Sequence, residues 1–301
     1  MESDCRPPSA RLSNFRAEAS RTLWSRLTLR DRNSYSLSRV QIAPGETLKV
    51  TATIITLNEA EHIGKACQSV AWADEILVVD SGSTDATREI AEASGARVIE
   101  REWPGFAAQK QFAAEQAQHE WIFSLDADEV VSPELHATIE DLLFTTEAKL
   151  ADGYSISRRA FYMGRWIHGG GWYPDRQLRL YNKTKGRWEG AYVHESVRMN
   201  PDARVEVLAG DILHYPGSDA AEHHRLIGER YAPLAARQMF EQGRRTSPFG
   251  VAVVGVAAFI RGFILKGGFR DGLAGFSIAA FAAHHAFLKY LMLWELQNRK
   301  D

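Results

Sequence analysis

The stretch WIFSLDADEVV, residues 121–131, is an apolar run that stops abruptly on Asp126, Asp128 and Glu129. Carboxylates this close repel one another, so the arrangement demands a compensating cation or proton. In an extended backbone, residues two apart point to the same side, so Asp126 and Asp128 can face one divalent cation. This run is the fourth of its kind. LKVTATIITLNEA passes from a β-branched strand through a loop into the helical pattern AEHIGKACQSVA. EILVVD ends on Asp80 before the turn SGSTD and the helix ATREIAEAS, while ARVIE is a third strand and GFAAQKQFAAEQAQ a helix. Strands alternating with helices predict an α/β fold with a mostly parallel sheet covered on both faces. Ligands of such sheets collect beyond the carboxyl ends of the strands. Asn58, Glu59, Asp80, Asp126 and Asp128 all fall there, and one pocket can gather them. Asp80 suits either a hydrogen bond to a nucleobase or ribose or the holding of its own turn; Ser83 and Asp85 read as turn and helix-cap residues.

Three zones separate along the 301 residues. Residues 1–46 are rich in Arg and Ser and read as a flexible extension, the alternative being a membrane-surface arm using Phe15, Trp24 and Leu27. Residues 47–235 carry the α/β pattern, and residues 236–301 are apolar and helical. A net charge of −2 gives no basis for a nucleic-acid partner. Cys5 and Cys67 lack metal-ligand spacing, and the first residues scatter Arg instead of forming a signal peptide, so free thiols and a cytoplasmic location are expected.

In the last zone, Arg261 interrupts PFGVAVVGVAAFIRGFIL, and His284, His285 and Lys289 interrupt DGLAGFSIAAFAAHHAFLKYLMLWEL. Neither segment offers the about 20 clean apolar residues of a membrane span. With the basic turn KGGFRDG between them, they predict a peripheral or monotopic hairpin on the inner-membrane surface. Lys266 and Arg270 would meet anionic headgroups, and Tyr290 and Trp294 would sit at headgroup level. A buried helical pair, as at a homodimer interface, and a tilted span are the alternatives.

The segments TIITLNEAEHIGKACQSV, EILVVDSGSTDAT, GFAAQKQFA and WIFSLDADEVVSPEL resemble, in order and spacing, the nucleotide-sugar domain of family 2 glycosyltransferases, with its Rossmann-like GT-A fold. The resemblance covers about residues 49–216. Through GGWYPDRQLRLYNKTKGRWEGAYVHESV and the hydrophobic end, the chain is most similar to the branch that adds glucose to the lipopolysaccharide inner core. The resemblance implies that Thr56, Asn58 and Glu59 hold the nucleotide and that Asp80 reads the base. It also implies that Asp126 and Asp128 meet the ribose and a metal-bound diphosphate, with Lys110 near the donor. It further implies inversion in a single displacement, UDP-glucose as donor, Mg²⁺ or Mn²⁺ as cofactor, and a lipid-linked glycan as acceptor. An undecaprenyl-linked sugar or another glycolipid fits the same physics.

A base must take the proton from the attacking hydroxyl. Glu195, beside His194 in GAYVHESV, is favoured over Asp175, which opens the strand after the glycine-rich loop and has Arg176 and Arg179 as ion-pair candidates. His214, ending GDILH, suits metal or diphosphate contact, or a place in the core. Trp172, Tyr173, Arg176 and Arg179 are candidates to bind the acceptor's phosphates and sugar faces. Two other readings of the motifs are weighed. A phosphatase reading of DADEV expects the motif on the first strand, and here it lies on the fourth. A non-catalytic membrane scaffold would leave the carboxylates without a task.

Overall fold

The computed structural model describes residues 47–146, 149–190, 195–217 and 220–299. The extension expected at 1–46, with Cys5, and His194 lie outside the described residues. β1 (Val50–Thr56), α1 (Ile63–Ser69), β2 (Glu75–Asp80), α2 (Thr87–Ala93), β3 (Arg97–Glu100), α3 (Phe106–Gln116) and β4 (Trp121–Asp126) follow the predicted alternation. After them come β5 (Glu129–Val131), α4 (Pro133–Leu143), β6 (Gly153–Tyr162), β7 (Arg165–Trp166), β8 (Asp175–Asn182), β9 (Gly186–Glu189), β10 (Ser196–Met199) and β11 (Val205–His214).

The period of two along each strand sorts side chains into two apolar layers. Ala52 and Ile54 of β1, Ile76 and Val78 of β2, and Phe123 and Leu125 of β4 pack in one core with Ile63 of α1 and Leu135 and Ile139 of α4. Ile55, Leu77 and Val79 point the other way, onto Ala113 of α3. This is why these strands are apolar throughout: both faces are covered.

The order across the sheet is β3-β2-β1-β4-β8-β6-β11-β5, with β7 paired to β6. The first four strands are parallel, as predicted. Beyond β4 the sheet is mixed: β8 runs antiparallel to both β4 and β6, and β5 antiparallel to β11. The antiparallel β8 is what brings Asp175 to the carboxyl end of β4.

The described residues belong to one compact unit, and the boundary expected after residue 235 falls inside a helix. α5 (Ala220–Leu226) continues through a π turn, Ile227–Tyr231, into α6 (Ala232–Glu241). α6 packs on the end of α8 (Gly272–Asn298) through Met239, Phe240 and Leu293. α7 (Pro248–Ile260) runs on through a second π turn to Leu265, and a 3-10 turn, Gly268–Asp271, leads into α8. The first helical segment, Pro248–Leu265, is 18 residues long with mean hydropathy 2.0 and is largely unburied. By length and composition it is long enough to cross a membrane, which the expectation of an interrupted run had discounted.

β11 changes register between Val207 and Asp211. There Gly210 takes φ +92° and lies so close to α4 that a Cβ would come within 2.4 Å of the Leu135 nitrogen. Gly210→Ala is therefore expected to cost about 2 kcal/mol or more in urea unfolding of the full chain, from strain and overpacking together. A change below about 0.5 kcal/mol, typical of a neutral surface site, would contradict this packing.

Candidate active site

The loops after β1 and β2 are stitched together. Asn58, with φ +54°, donates its N–H to Ser83 Oγ at 2.8 Å and accepts the Thr84 N–H on its side chain at 2.8 Å. Glu59 N–H donates to Thr87 Oγ1. Asp80 is wholly buried and accepts from the Gly82 and Ser83 N–H groups and from the Ser83 hydroxyl. In the structure the Asp80 carboxylate holds the turn, one of the two roles its sequence context offered. Asn58 is likewise a brace between two loops.

Three protein cations answer the crowding of carboxylates after β4. Glu129 is completely buried and takes the guanidinium of Arg179 at 2.9 Å and that of Arg158 at 3.3 Å. Its other oxygen accepts the Asp126 N–H at 2.9 Å. Asp126 pairs with Lys110 at 2.9 Å and with Arg179 at 3.2 Å. Burial raises the Asp126 carboxyl's pKa, but Lys110 and Arg179 outweigh it and hold the group well below the usual carboxylate range. Arg179, expected at the acceptor, is instead buried behind the motif, donating also to the Ser124 carbonyl. Lys110 does not lie on a solvated helix face. It is buried, lies 4.8 Å from the Trp188 ring centroid, and reaches Glu195 at 3.4 Å.

Asp128 alone of the three motif carboxylates has no Lys or Arg partner among the described residues; its partner is His214 Nε2 at 3.1 Å. β5 pairs with β11 so that His214 stands opposite Glu129, and the Tyr215 N–H donates to the Asp128 carbonyl at 2.9 Å. Asp128 and His214 are 26% and 19% exposed. They border a cavity of ≈ 420 Å³ with Thr56, Leu57, Glu59, Trp103, Phe106 and Asp126. Thr56 Oγ1 is buried there without a hydrogen-bond partner. No group of three or more potential metal ligands occurs among the described residues. Asp126 pairs with Lys110 and Arg179, so of the expected metal ligands Asp128 and His214 are the two without a Lys or Arg partner among the described residues. One carboxylate oxygen and one imidazole fit Mn²⁺ or Mg²⁺ if the remaining ligands are oxygens from outside the chain.

Asp175 does not pair with Arg176 or Arg179. Arg158 binds its Oδ2, at 2.8 and 2.9 Å, and Gln177 donates to Oδ1 at 2.8 Å. Glu195, partly buried, makes a longer contact to Lys110, its one hydrogen-bond or ion-pair partner among the described residues. The aromatic platform expected at the acceptor is built into the fold. Trp172 packs against Tyr162 and the Ile167–Ile278 cluster and stacks near His223. The Tyr173 hydroxyl donates to Asp211 at 3.0 Å and accepts from Arg159 at 3.2 Å. Arg176 is exposed.

Sequence reasoning missed Arg158 and the structural part played by Glu129. A signal existed: Arg158 and Arg159 sit side by side in the strand pattern YSISRRAFY, which sends one cation to each face of a sheet. Glu129→Gln would leave the buried Arg179 guanidinium and the partly exposed Arg158 short of a charge. It is expected to cost about 3–5 kcal/mol in urea unfolding, and a loss under about 1 kcal/mol, the value of a surface ion pair, would show the network to be solvated.

A family description, "Glycosyl transferase family 2", matches residues 51–199. The chain is 32% identical to the lipopolysaccharide core biosynthesis glycosyltransferase LpsC of Rhizobium meliloti over 260 residues, 82% of this chain and 93% of that protein. It is 31% identical to an uncharacterized glycosyltransferase of Rickettsia typhi over 258 residues, 82% of this chain and 87% of that one. Among solved structures, glucosyl-3-phosphoglycerate synthase from Mycobacterium tuberculosis with Mn²⁺, UDP and glucosyl-3-phosphoglycerate is 27% identical, covering 39% of this chain and 45% of that one, with a TM-score of 0.31. Overlap at that level fixes no residue's role here. The sequence matches and the parallel α/β half with its carboxylate-tipped strands agree, and the chain belongs to glycosyl transferase family 2.

Proposed function

We propose that the protein transfers glucose from UDP-glucose, with inversion, onto a membrane-lipid-linked glycan, namely the lipopolysaccharide inner core. The observation that carries the reading is the cavity at the strand ends, where Thr56, Glu59, Asp128 and His214 meet in front of the Asp126–Lys110–Glu195 chain. The acceptor class is supported by the relative named for lipopolysaccharide core biosynthesis. The donor sugar rests on the resemblance of residues 170–197 and the hydrophobic end to the glucose-adding branch.

Thr56 offers the donor a buried hydroxyl that no protein group engages. Asp128 and His214 are the residues that would hold Mg²⁺ or Mn²⁺, which when bound supplies Lewis-acid stabilisation of the leaving diphosphate. Glu195 takes the proton from the acceptor hydroxyl. It suits that task better than Asp175, because its contact with Lys110 is long, whereas both oxygens of Asp175 are already engaged. Arg176, exposed beside Asp175, suits an anionic group of the acceptor.

The helical hairpin suits a location on the cytoplasmic face of the inner membrane. Phe249, Val256, Leu265, Phe269 and Leu273 are each more than half exposed, a contiguous liability in water and an asset in a headgroup region. Lys266 and Arg270, exposed at the hinge, add attraction to anionic lipid.

Calorimetric titration with UDP-glucose, UDP and GDP-mannose, each with and without Mn²⁺, is expected to give Mn²⁺-dependent binding of the UDP species that Asp128→Ala removes. Glu195→Gln is expected to keep donor binding and lose transfer by about 100-fold or more, the usual worth of a general base. Transfer retained in Glu195→Gln and lost in Asp175→Asn would move the base to Asp175. Failure of every nucleotide to bind would refute the enzymatic reading.

A further inference from the structure

The glycine-rich segment between β7 and β8 reads in sequence as a loose cover. In the structure it is clamped along its length to the hinge of the helical hairpin. Asp271 Oδ2 accepts the His168 N–H at 3.0 Å and the Gly169 N–H at 2.9 Å, and its Oδ1 lies 3.2 Å from the His168 nitrogen. The Gly170 N–H donates to the Lys266 carbonyl at 3.0 Å. Gly169 sits so close to the hinge that a Cβ would come within 2.8 Å of the Gly267 oxygen.

Asp271 is 1% exposed and has no Lys or Arg partner among the described residues. Its one ionisable partner among the described residues is the His168 imidazole, at 3.6 Å, so the buried carboxylate depends mainly on donated N–H groups. Those of this segment reach it, so the segment's position and the carboxylate's burial require one another.

From the clamp the chain continues through Trp172 and Tyr173, whose hydroxyl donates to Asp211, to Asp175 on Arg158. Arg158 in turn touches Glu129, behind the metal motif. Contacts therefore run without a gap from the membrane-facing hinge to the carboxylates at the end of β4.

We propose that the hairpin is a working wall of the acceptor site and not only an anchor, with Asp271 as the positioning residue. Asp271 sets segment 168–175, and with it Arg176, where the acceptor must enter. The inference rests on the reading above that the acceptor approaches from the membrane.

The test uses the full chain in detergent micelles, where anchoring to a bilayer no longer matters. UDP-glucose is the donor, and lipid A carrying inner-core sugars is the acceptor probe. Asp271→Asn weakens the clamp from the hinge side and Gly169→Ala from the loop side, so one variant serves if the other misfolds. Both are expected to bind UDP with Mn²⁺ as tightly as the wild type and to leave the rate of UDP-glucose hydrolysis unchanged from it. Both are expected to lose about tenfold or more in kcat/KM for the acceptor, since small misplacements of a positioning element are costly. Micellar transfer at the wild-type rate would overturn the inference in favour of a pure anchor. Donor binding, hydrolysis and transfer falling in parallel would overturn it in favour of a general structural role. If the wild type binds UDP but glycosylates no lipid A probe, it is the proposed acceptor that fails. Hydrogen exchange then decides the inference: in Asp271→Asn, exchange rising about tenfold at 168–171 together with 175–177 supports the coupling, and a rise confined to 168–169 overturns it.

Discussion

The buried guanidinium of Arg179 is the group on which the site depends. Burial alone would lower its pKa, but Glu129 and Asp126 more than reverse this, so it stays charged where few cations could. It thereby lets two carboxylates stand side by side at a strand end, one fixing the backbone of the other. The motif's geometry is built before any ligand arrives. Removing either partner would leave a buried charge, which is why such networks hold one arrangement.

This compensation divides the labour among three neighbouring carboxylates. Glu129 faces two arginines and is structural; Asp126 faces a lysine and an arginine and orders the site's edge; Asp128 faces only His214. Spacing in the sequence makes Asp126 and Asp128 equivalent candidates for a metal. Tertiary partners separate them.

The parallel half of the sheet was legible because its strands are apolar on both faces and its helices keep their period, which are local properties. The far half was not, because β8 and β6 mix arginines with apolar residues, and only long-range pairing tells which arginine meets which acid. Lys110 shows the limit well. A lysine within a helical pattern reads as solvated, and nothing local says that residues 16 and 85 positions away will close over it. Asp80 and Asn58 show the opposite case. Both carry the backbone contacts of their loops, which for Asp80 were already readable in SGSTD.

Charge at the site also bears on the divalent metal of the proposed function. Asp175, Glu129, Asp126 and Glu195 are joined through Arg158, Arg179 and Lys110 into one connected set, and Asp128 adjoins it. Among the described residues, five carboxylates face three Lys and Arg side chains, so carboxylates outnumber these cations. A diphosphate entering the same cavity adds negative charge in a partly desolvated place, where repulsion is strong. The buried cations cannot move to meet it without abandoning the carboxylates they hold. Among the described residues, the point of the site without a Lys or Arg partner is Asp128 with His214, on the cavity wall.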